Sequence, residues 1–269
     1  MLDRFIIIQK KRGNYLMLVL VSFSLTVFLS FVNMFLGGNS LFLVALISLS
    51  FAYPLTSAAR MLERDEIDKI ASSGKIFARY KRELLLFWSL FLGICIGLYI
   101  GSPFISDYTY QQRFYDSISG ALSSSDMSFL YILLNNLEVA FFTFIISFFI
   151  YSAIIFVIAW NASVLVYFLT SFGSFREAFI SAVFLLPHGL MEIGGYVFAG
   201  VAGALFALRL DVALSSKYYK AYEKGRAVYR RDRRDVFSKL INYQLILDII
   251  YLLGLSVLFI ITGATMEVL

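Results

Sequence analysis

A histidine and a glutamate four residues apart are the side chains best placed to do chemistry in this chain. His188 and Glu192 follow Pro187 inside a long apolar stretch, and side chains four apart share one helix face. Proline removes a backbone donor and Gly189 allows close approach of a neighbour, so we expect a broken or kinked helix here. A coupled imidazole and carboxylate can carry a proton, and the same pair can also hold helices together.

Further polar residues in apolar segments extend this candidate site. A charged side chain at bilayer depth costs about 2.5–3.5 kcal/mol on insertion scales, so it usually faces a protein interior or a water-filled cavity. We therefore expect an intramembrane polar cluster of seven side chains: Asn135, Asn136, Glu138, Asn161, His188, Glu192 and Asp248. Interhelical hydrogen bonding is the favoured interpretation, an ion or proton pathway is the second, and a hydrolytic site is a minor third.

The residue types make an enzyme a poor interpretation. The chain has one histidine and one cysteine, Cys95, and it lacks both the HExxH pattern of zinc proteases and the G-x-S-x-G pattern of serine hydrolases. The sequence therefore predicts no catalytic residue, no bound metal, no cofactor and no disulfide framework.

The elements that must position these residues are membrane-spanning helices. Hydrophobic residues make up 60% of the 269 residues and charged residues 15%, against about 45–50% and about 25% in soluble domains. Mean hydropathy is +0.80. Apolar runs long enough to cross a bilayer, which takes about 20 residues of helix, lie between clusters of Lys and Arg. The composition excludes a soluble enzyme and predicts an all-α polytopic transmembrane bundle in the cell membrane.

The charge clusters set a topology. Basic residues gather before residue 13, in 60–82 and in 209–239, which places these segments and the N-terminus in the cytoplasm. The polar stretch 102–134 is typical of an extracytoplasmic loop, so an odd number of crossings must lie between 134 and 209. Three crossings there, with a break near Trp160 and Asn161, give about seven in all. Five crossings plus a re-entrant hairpin satisfy the same parity.

Two further patterns predict contacts. Small residues recur every fourth position in Gly195, Ala199, Gly203 and Ala207, a ridge that lets another helix pack closely. Packing within the chain is favoured over a dimer, although the ridge is also the main support for a homo-oligomer. Arginines beside a membrane end bind anionic lipid headgroups more often than nucleic acid. We assign this lipid contact, with no nucleic-acid partner, to Arg230, Arg231, Arg233 and Arg234.

The motif around His188 resembles one family of integral membrane proteins. From about Lys81 to Arg209 the chain is similar to the stage II sporulation protein M family. The similarity rests on Asn135-Asn136 opening a helix, Asn161, the run Leu186-Pro187-His188-Gly189-x-x-Glu192, and Ala199-Gly200-x-x-Gly203. On this basis we divide the chain into a helical hairpin with a cytoplasmic segment (1–83), a family-like core (84–210) and a basic segment with a last helix (211–269). The first two helices and the last one lie outside this shared core.

The resemblance implies a non-enzymatic function. In sporulating bacteria such a protein looks like a membrane partner that anchors a complex with a lytic transglycosylase and an amidase, which thin peptidoglycan during engulfment. It implies here a scaffold or component of a membrane complex, with other membrane proteins as partners. An ion- or proton-coupled transporter or channel using His188 and Glu192 is the alternative.

Overall fold

Long apolar helices make up nearly all of the computed structural model, which describes residues 2–66, 76–113, 129–172, 174–223 and 243–268. Within these ranges there are eight α-helices of 11 or more residues, a short helical segment at 109–113 and no β-strand; one isolated bridge joins Asn39 and Asp107. The helices are α1 (Leu2–Arg12), α2 (Tyr15–Phe35), α3 (Ser40–Glu66), α4 (Ile76–Gly101), α5 (Phe129–Phe149), α6 (Ile154–Thr170), α7 (Phe175–Glu223) and α8 (Tyr243–Val268).

Helices α2 to α8 each contain a segment long and apolar enough to cross a membrane. In the part of the chain that the structure describes there are seven such spans: Tyr15–Phe35, Ser40–Ala58, Tyr80–Phe104, Phe129–Phe149, Tyr151–Thr170, Pro187–Ala207 and Ile246–Val268. The all-α polytopic bundle expected from the composition is therefore confirmed, and the seven spans favour the seven-crossing arrangement over five crossings with a re-entrant hairpin.

The break between α5 and α6 lies ten residues before the position predicted from the sequence. Ile150 adopts an extended backbone (φ −135°, ψ 104°), and a 3-10 turn, Tyr151–Ala153, leads into α6. Asn161 is in the middle of α6, where its Nδ2 donates to the Val157 carbonyl at 2.8 Å. Because this bond within the helix satisfies the amide, Asn161 does not interrupt the backbone, and the prediction of a break near Trp160 was wrong.

Helices α2 and α4 run in the same direction and touch through small residues. A Cβ built on Gly93 would lie 3.0 Å from Ser22 Cβ, and one on Gly97 would lie 2.7 Å from Thr26 Cβ. One turn further on, a Cβ on Gly101 would lie 2.5 Å from Ser30 Oγ. The contact residue rises by about one turn on both helices together, so the two helices are parallel and closely packed.

Polar contacts connect neighbouring segments at each end of the bundle. At one end, called the inner end here, Lys10 forms an ion pair with Glu83, and Tyr80 Oη donates to Asp248 Oδ2 at 2.5 Å. At the other, the outer end, Asn39 Nδ2 donates to Asp107 Oδ2 at 2.8 Å. These pairings agree with helices that alternate in direction. The basic clusters predict that the inner end faces the cytoplasm.

The proposed division into three segments does not coincide with breaks in the helices. Helix α4 is continuous through residues 83–84 and α7 through residues 210–211. One hydrophobic core extends over α1 to α4 and α6 to α8. Its most buried large side chains include Phe51, Phe87, Ile94, Leu98 and Ile155.

Candidate functional site

Three helices meet at Glu192. Asn136 of α5 bonds to Glu192 of α7, and further along both helices a Cβ on Gly203 would lie 3.0 Å from Phe148 N. These contacts make α5 and α7 parallel. On the other side, a Cβ on Gly263 of α8 would lie 2.8 Å from Glu192 Cγ. Gly195 of α7 meets Ser256 and Ile260 of α8, so α8 runs antiparallel to α7.

A chain of two hydrogen bonds links α5 to α7, and we call its three residues the Asn136 lock. Tyr196 Oη donates to Asn136 Oδ1 at 2.6 Å, and Asn136 Nδ2 donates to Glu192 Oε1 at 2.5 Å. Asn136 and Tyr196 are only 6% and 5% exposed, so few water molecules can reach these bonds. One amide thus uses both its donor and its acceptor to bind two residues on successive turns of α7.

Two more titratable groups lie beside the lock. His188, half-buried and one turn before Glu192, is close enough to Glu267 of α8 for their charges to interact. The backbone carbonyl of His188 also faces α8, 3.2 Å from a Cβ placed on Gly263. Glu267 of α8 therefore lies near both His188 and Glu192 of α7.

The depth of this group follows from helix geometry. Glu192 lies five residues inside the Pro187–Ala207 span, which at about 1.5 Å per residue is about 8 Å from its end. Glu267 is next to the last residue of the Ile246–Val268 span. The group therefore occupies the outer half of the bundle, near the outer end.

The hydrogen bonds of the Asn136 lock do not form a proton path between Tyr196 and Glu192. A proton moving from Tyr196 to Glu192 would have to pass through the Asn136 side chain. An amide nitrogen and oxygen have fixed donor and acceptor roles and do not exchange them readily. In the described ranges, no group of three or more His, Cys, Asp or Glu side chains could hold a metal ion.

The other members of the predicted polar cluster lie elsewhere. Asn135 and Glu138 are exposed on α5, because they point away from the α7 side that Asn136 faces. Asn161 bonds within α6. Asp248 is 2% exposed but bonds to Tyr80 at the inner end. Of the seven predicted residues, the structure brings together Asn136, His188 and Glu192.

The expected helix break at Pro187 and Gly189 is absent. Helix α7 continues through both residues for 49 residues in all. Proline removes one backbone hydrogen bond, and the long helix on either side holds the backbone in place. Nothing lies within 4 Å of a Cβ built on Gly189. Gly189 is therefore not a point of close approach, which occurs instead at Gly195, Gly203 and Gly263.

The predicted small-residue ridge packs inside the chain. Gly195 meets α8, Gly203 meets α5, and Ala199 is 1% exposed in a cluster with Ala140 and Ile260. Ala207 is half-buried at the end of the ridge. Both neighbours of the ridge belong to the same molecule, so the ridge does not supply a dimer contact. The predicted lipid-binding arginines, Arg230, Arg231, Arg233 and Arg234, lie outside the described residues.

Several residues that make contacts between helices were not among the predicted site residues. Tyr196 follows Glu192 by four residues, and Gly93, Gly97 and Gly101 repeat the spacing of the α7 ridge; both are visible signals. A third polar link joins Ser40 to Gln111, whose Nε2 donates to Ser163 Oγ at 3.0 Å. Gln111 is fully buried, but nothing in its sequence context indicates this contact.

Comparison with known proteins identifies a family. The family model described as Stage II sporulation protein M matches residues 84–269. No curated protein and no solved structure matches the chain. The match includes α8, so the expectation that the last helix lies outside the shared core was wrong. It begins after Glu83 and leaves out α1 to α3. Because the match covers more than half of the chain and its seven apolar spans are those of a multi-pass membrane protein, this chain belongs to the stage II sporulation protein M family.

Proposed function

We propose that this protein is a non-catalytic component of a membrane complex, in the cell membrane, that holds partner proteins together. The main support is the use of its intramembrane polar groups. The Asn136 lock joins α5 to α7, Tyr80 and Asp248 join α4 to α8, and the Ser40–Gln111–Ser163 link joins α3 to α6. Each set of polar side chains connects helices, as expected of a rigid scaffold.

The outer end of α7 offers a place for a partner. Asn136 is seven residues from the start of α5 and Gly263 is five residues from the end of α8, and both lie beside Glu192. The described parts of α5 and α8 therefore reach about the level of residues 185–187 of α7. Residues 175–186 extend about 18 Å further, at about 1.5 Å per residue. We call residues 175–186 the α7 extension.

The α7 extension carries exposed apolar side chains at helical spacing. Ile180 and Val183 are 45% and 53% exposed, and Arg176 is also exposed. Positions 176, 180, 183 and 187 lie on one face of the helix. Such a face, beyond the described parts of α5 and α8, suits pairing with an apolar helix of another protein.

Site-specific photo-crosslinking in the native host tests this proposal. A photoreactive amino acid replaces Val183, and the matched control carries it at Phe142, which is 52% exposed in the middle of the α5 span. At Val183 we expect crosslinking to a partner protein of another sequence, in an amount about equal to that of this protein. At Phe142 we expect no crosslink to that partner. Capture of lipid alone at both positions would contradict the proposal, and capture of a second copy would support the predicted homo-oligomer instead.

An ion- or proton-coupled pathway is the second candidate, because Glu267 lies near both His188 and Glu192 in the outer half of the bundle. If this second candidate is right, purified protein in liposomes that contain an internal pH dye should show proton flux, and Glu192→Gln should abolish that flux. The scaffold proposal predicts no flux above that of empty liposomes, for the wild type and for the variant.

A further inference from the structure

Helix α1 has two faces of different chemistry. Ile6, Gln9 and Lys10 are buried, at 1%, 8% and 4% exposure. Arg4 and Arg12 are exposed, and Ile8 between them is 45% exposed. Positions 4, 8 and 12 follow one another at four-residue spacing and so form one stripe along the helix. We call these three residues the α1 stripe.

The buried face holds α1 at one level of the bundle. Ser57, near the end of the Ser40–Ala58 span, donates to Asp3 Oδ2 at 3.1 Å. Lys10 pairs with Glu83, which lies three residues after the start of the Tyr80–Phe104 span. Asn14 N donates to the Gln9 carbonyl at 3.0 Å in the turn before α2. Three spans thus place α1 at the inner boundary of the hydrocarbon region.

The charges of the α1 stripe are available for a ligand. Lys10 is used by Glu83, whereas in the described part of the chain neither Arg4 nor Arg12 forms an ion pair. The planar guanidinium group matches a phosphate through two parallel hydrogen bonds. An exposed isoleucine between two arginines, on a helix at the membrane boundary, is the pattern of a helix that lies in the headgroup region.

We propose that the α1 stripe is a binding site for anionic phospholipid at the inner end of the bundle. The arginines bind headgroup phosphates, and Ile8 enters the beginning of the acyl region. About 12 Å separates Arg4 from Arg12 along the helix. Because α1 also contacts α3 and α4, lipid bound there connects the membrane surface directly to the helical core. This site is separate from the Arg230–Arg234 segment.

The test measures lipid retention by the full-length protein. Protein purified in a mild detergent is titrated with phosphatidylglycerol or phosphatidylcholine, and bound lipids are counted by native mass spectrometry. The variant is Arg4→Gln with Arg12→Gln. The matched control is Arg113→Gln with Arg176→Gln, which removes two exposed arginines near the outer end. At about fivefold per arginine near an anionic surface, we expect phosphatidylglycerol binding to fall about 30-fold in the variant.

Each outcome decides the proposal. Phosphatidylglycerol affinity should hold in the outer-end control. Arg4→Lys with Arg12→Lys keeps both charges but loses the paired N–H donors, so its affinity should lie between those of the wild type and the glutamine variant. Melting temperatures in phosphatidylcholine should match the wild type and show that the variants fold. Unchanged binding by the glutamine variant would overturn the proposal, and so would an equal loss in the control. If inorganic phosphate displaced the lipid at similar concentration, the stripe would be a site for free anions and the lipid assignment would be wrong.

Discussion

Two glycines on α7 should respond in opposite ways to the same substitution. Replacing either Gly189 or Gly203 by alanine adds one methyl group and improves helix propensity by about 1 kcal/mol. Around Gly189 the added Cβ meets nothing within 4 Å. At Gly203 it overlaps the Phe144 carbonyl oxygen and lies 3.0 Å from Phe148 N. Both contacts are with backbone atoms of α5, which cannot rotate away as a side chain can.

The size of the effect follows from these contacts. Extra volume in a well-packed interior costs about 1–3 kcal/mol. Gly203→Ala should therefore lose all of its helix-propensity gain of about 1 kcal/mol and destabilise the bundle by up to about 2 kcal/mol. Gly189→Ala should stabilise it by up to about 1 kcal/mol. We expect Gly189→Ala to exceed Gly203→Ala in free energy of unfolding by about 1–3 kcal/mol.

The assay is reversible unfolding in mixed micelles with increasing sodium dodecyl sulfate, followed by circular dichroism. The Gly189 variant is the matched control, because helix, residue change and added volume are the same. Equal stability of the two variants, or a more stable Gly203→Ala, would refute the close contact between α5 and α7.

Three further predictions use the same unfolding assay. Asn136→Ala removes both bonds of the lock and leaves partly buried partners unpaired, so it should cost about 1–3 kcal/mol; an unchanged midpoint would contradict the lock. Lys10→Met should cost about 3 kcal/mol because a charge stays unpaired, and adding Glu83→Met should recover most of the loss; equal loss in the single and double variants would contradict the ion pair. Hydrogen bonds from the Thr109 hydroxyl and N–H lower the pKa of Asp107, so this carboxylate should stabilise the fold above its unfolded pKa of about 3.9. That stability should be lost as the pH falls through the lower folded pKa, and a pH titration should show no such loss in Asp107→Asn.

The spans and their alternation could be predicted from the sequence because both depend on local composition. Apolar runs indicate helix length. Clusters of Lys and Arg mark the connections from α3 to α4 and from α7 to α8, although not the connection from α5 to α6. The break at Ile150 was missed because its neighbours are apolar on both sides, without the glycine or proline that usually signals a turn. The break was predicted near Asn161 instead, because this residue is polar, although its amide donates a hydrogen bond within α6.

The polar cluster was only partly predictable because a sequence gives depth in the membrane better than rotation about a helix axis. Glu138 follows Asn136 by two residues, which is about 200° around the helix, so only Asn136 can face α7. Asp248 belongs to an apolar helix like the others, but it lies at the inner end of α8, whereas Gly263 meets Glu192 in the outer half. Which faces meet depends on helix packing between distant segments.

The most direct test of the scaffold proposal removes the charge of Glu192 and keeps its shape. A tagged copy carrying Glu192→Gln replaces the wild type in its native membrane, and crosslinked partners are counted by mass spectrometry beside the unfolding midpoint. Glutamine can still accept the hydrogen bond from Asn136, so the free energy of unfolding should stay within about 1 kcal/mol of the wild-type value. The same partners should be captured in the same amounts. Glu192→Ala is the control that should lose stability. If Glu192→Gln folded normally but lost its partners or its cellular function, an ionisable carboxylate would be required, and the proposal of a non-catalytic scaffold would be contradicted.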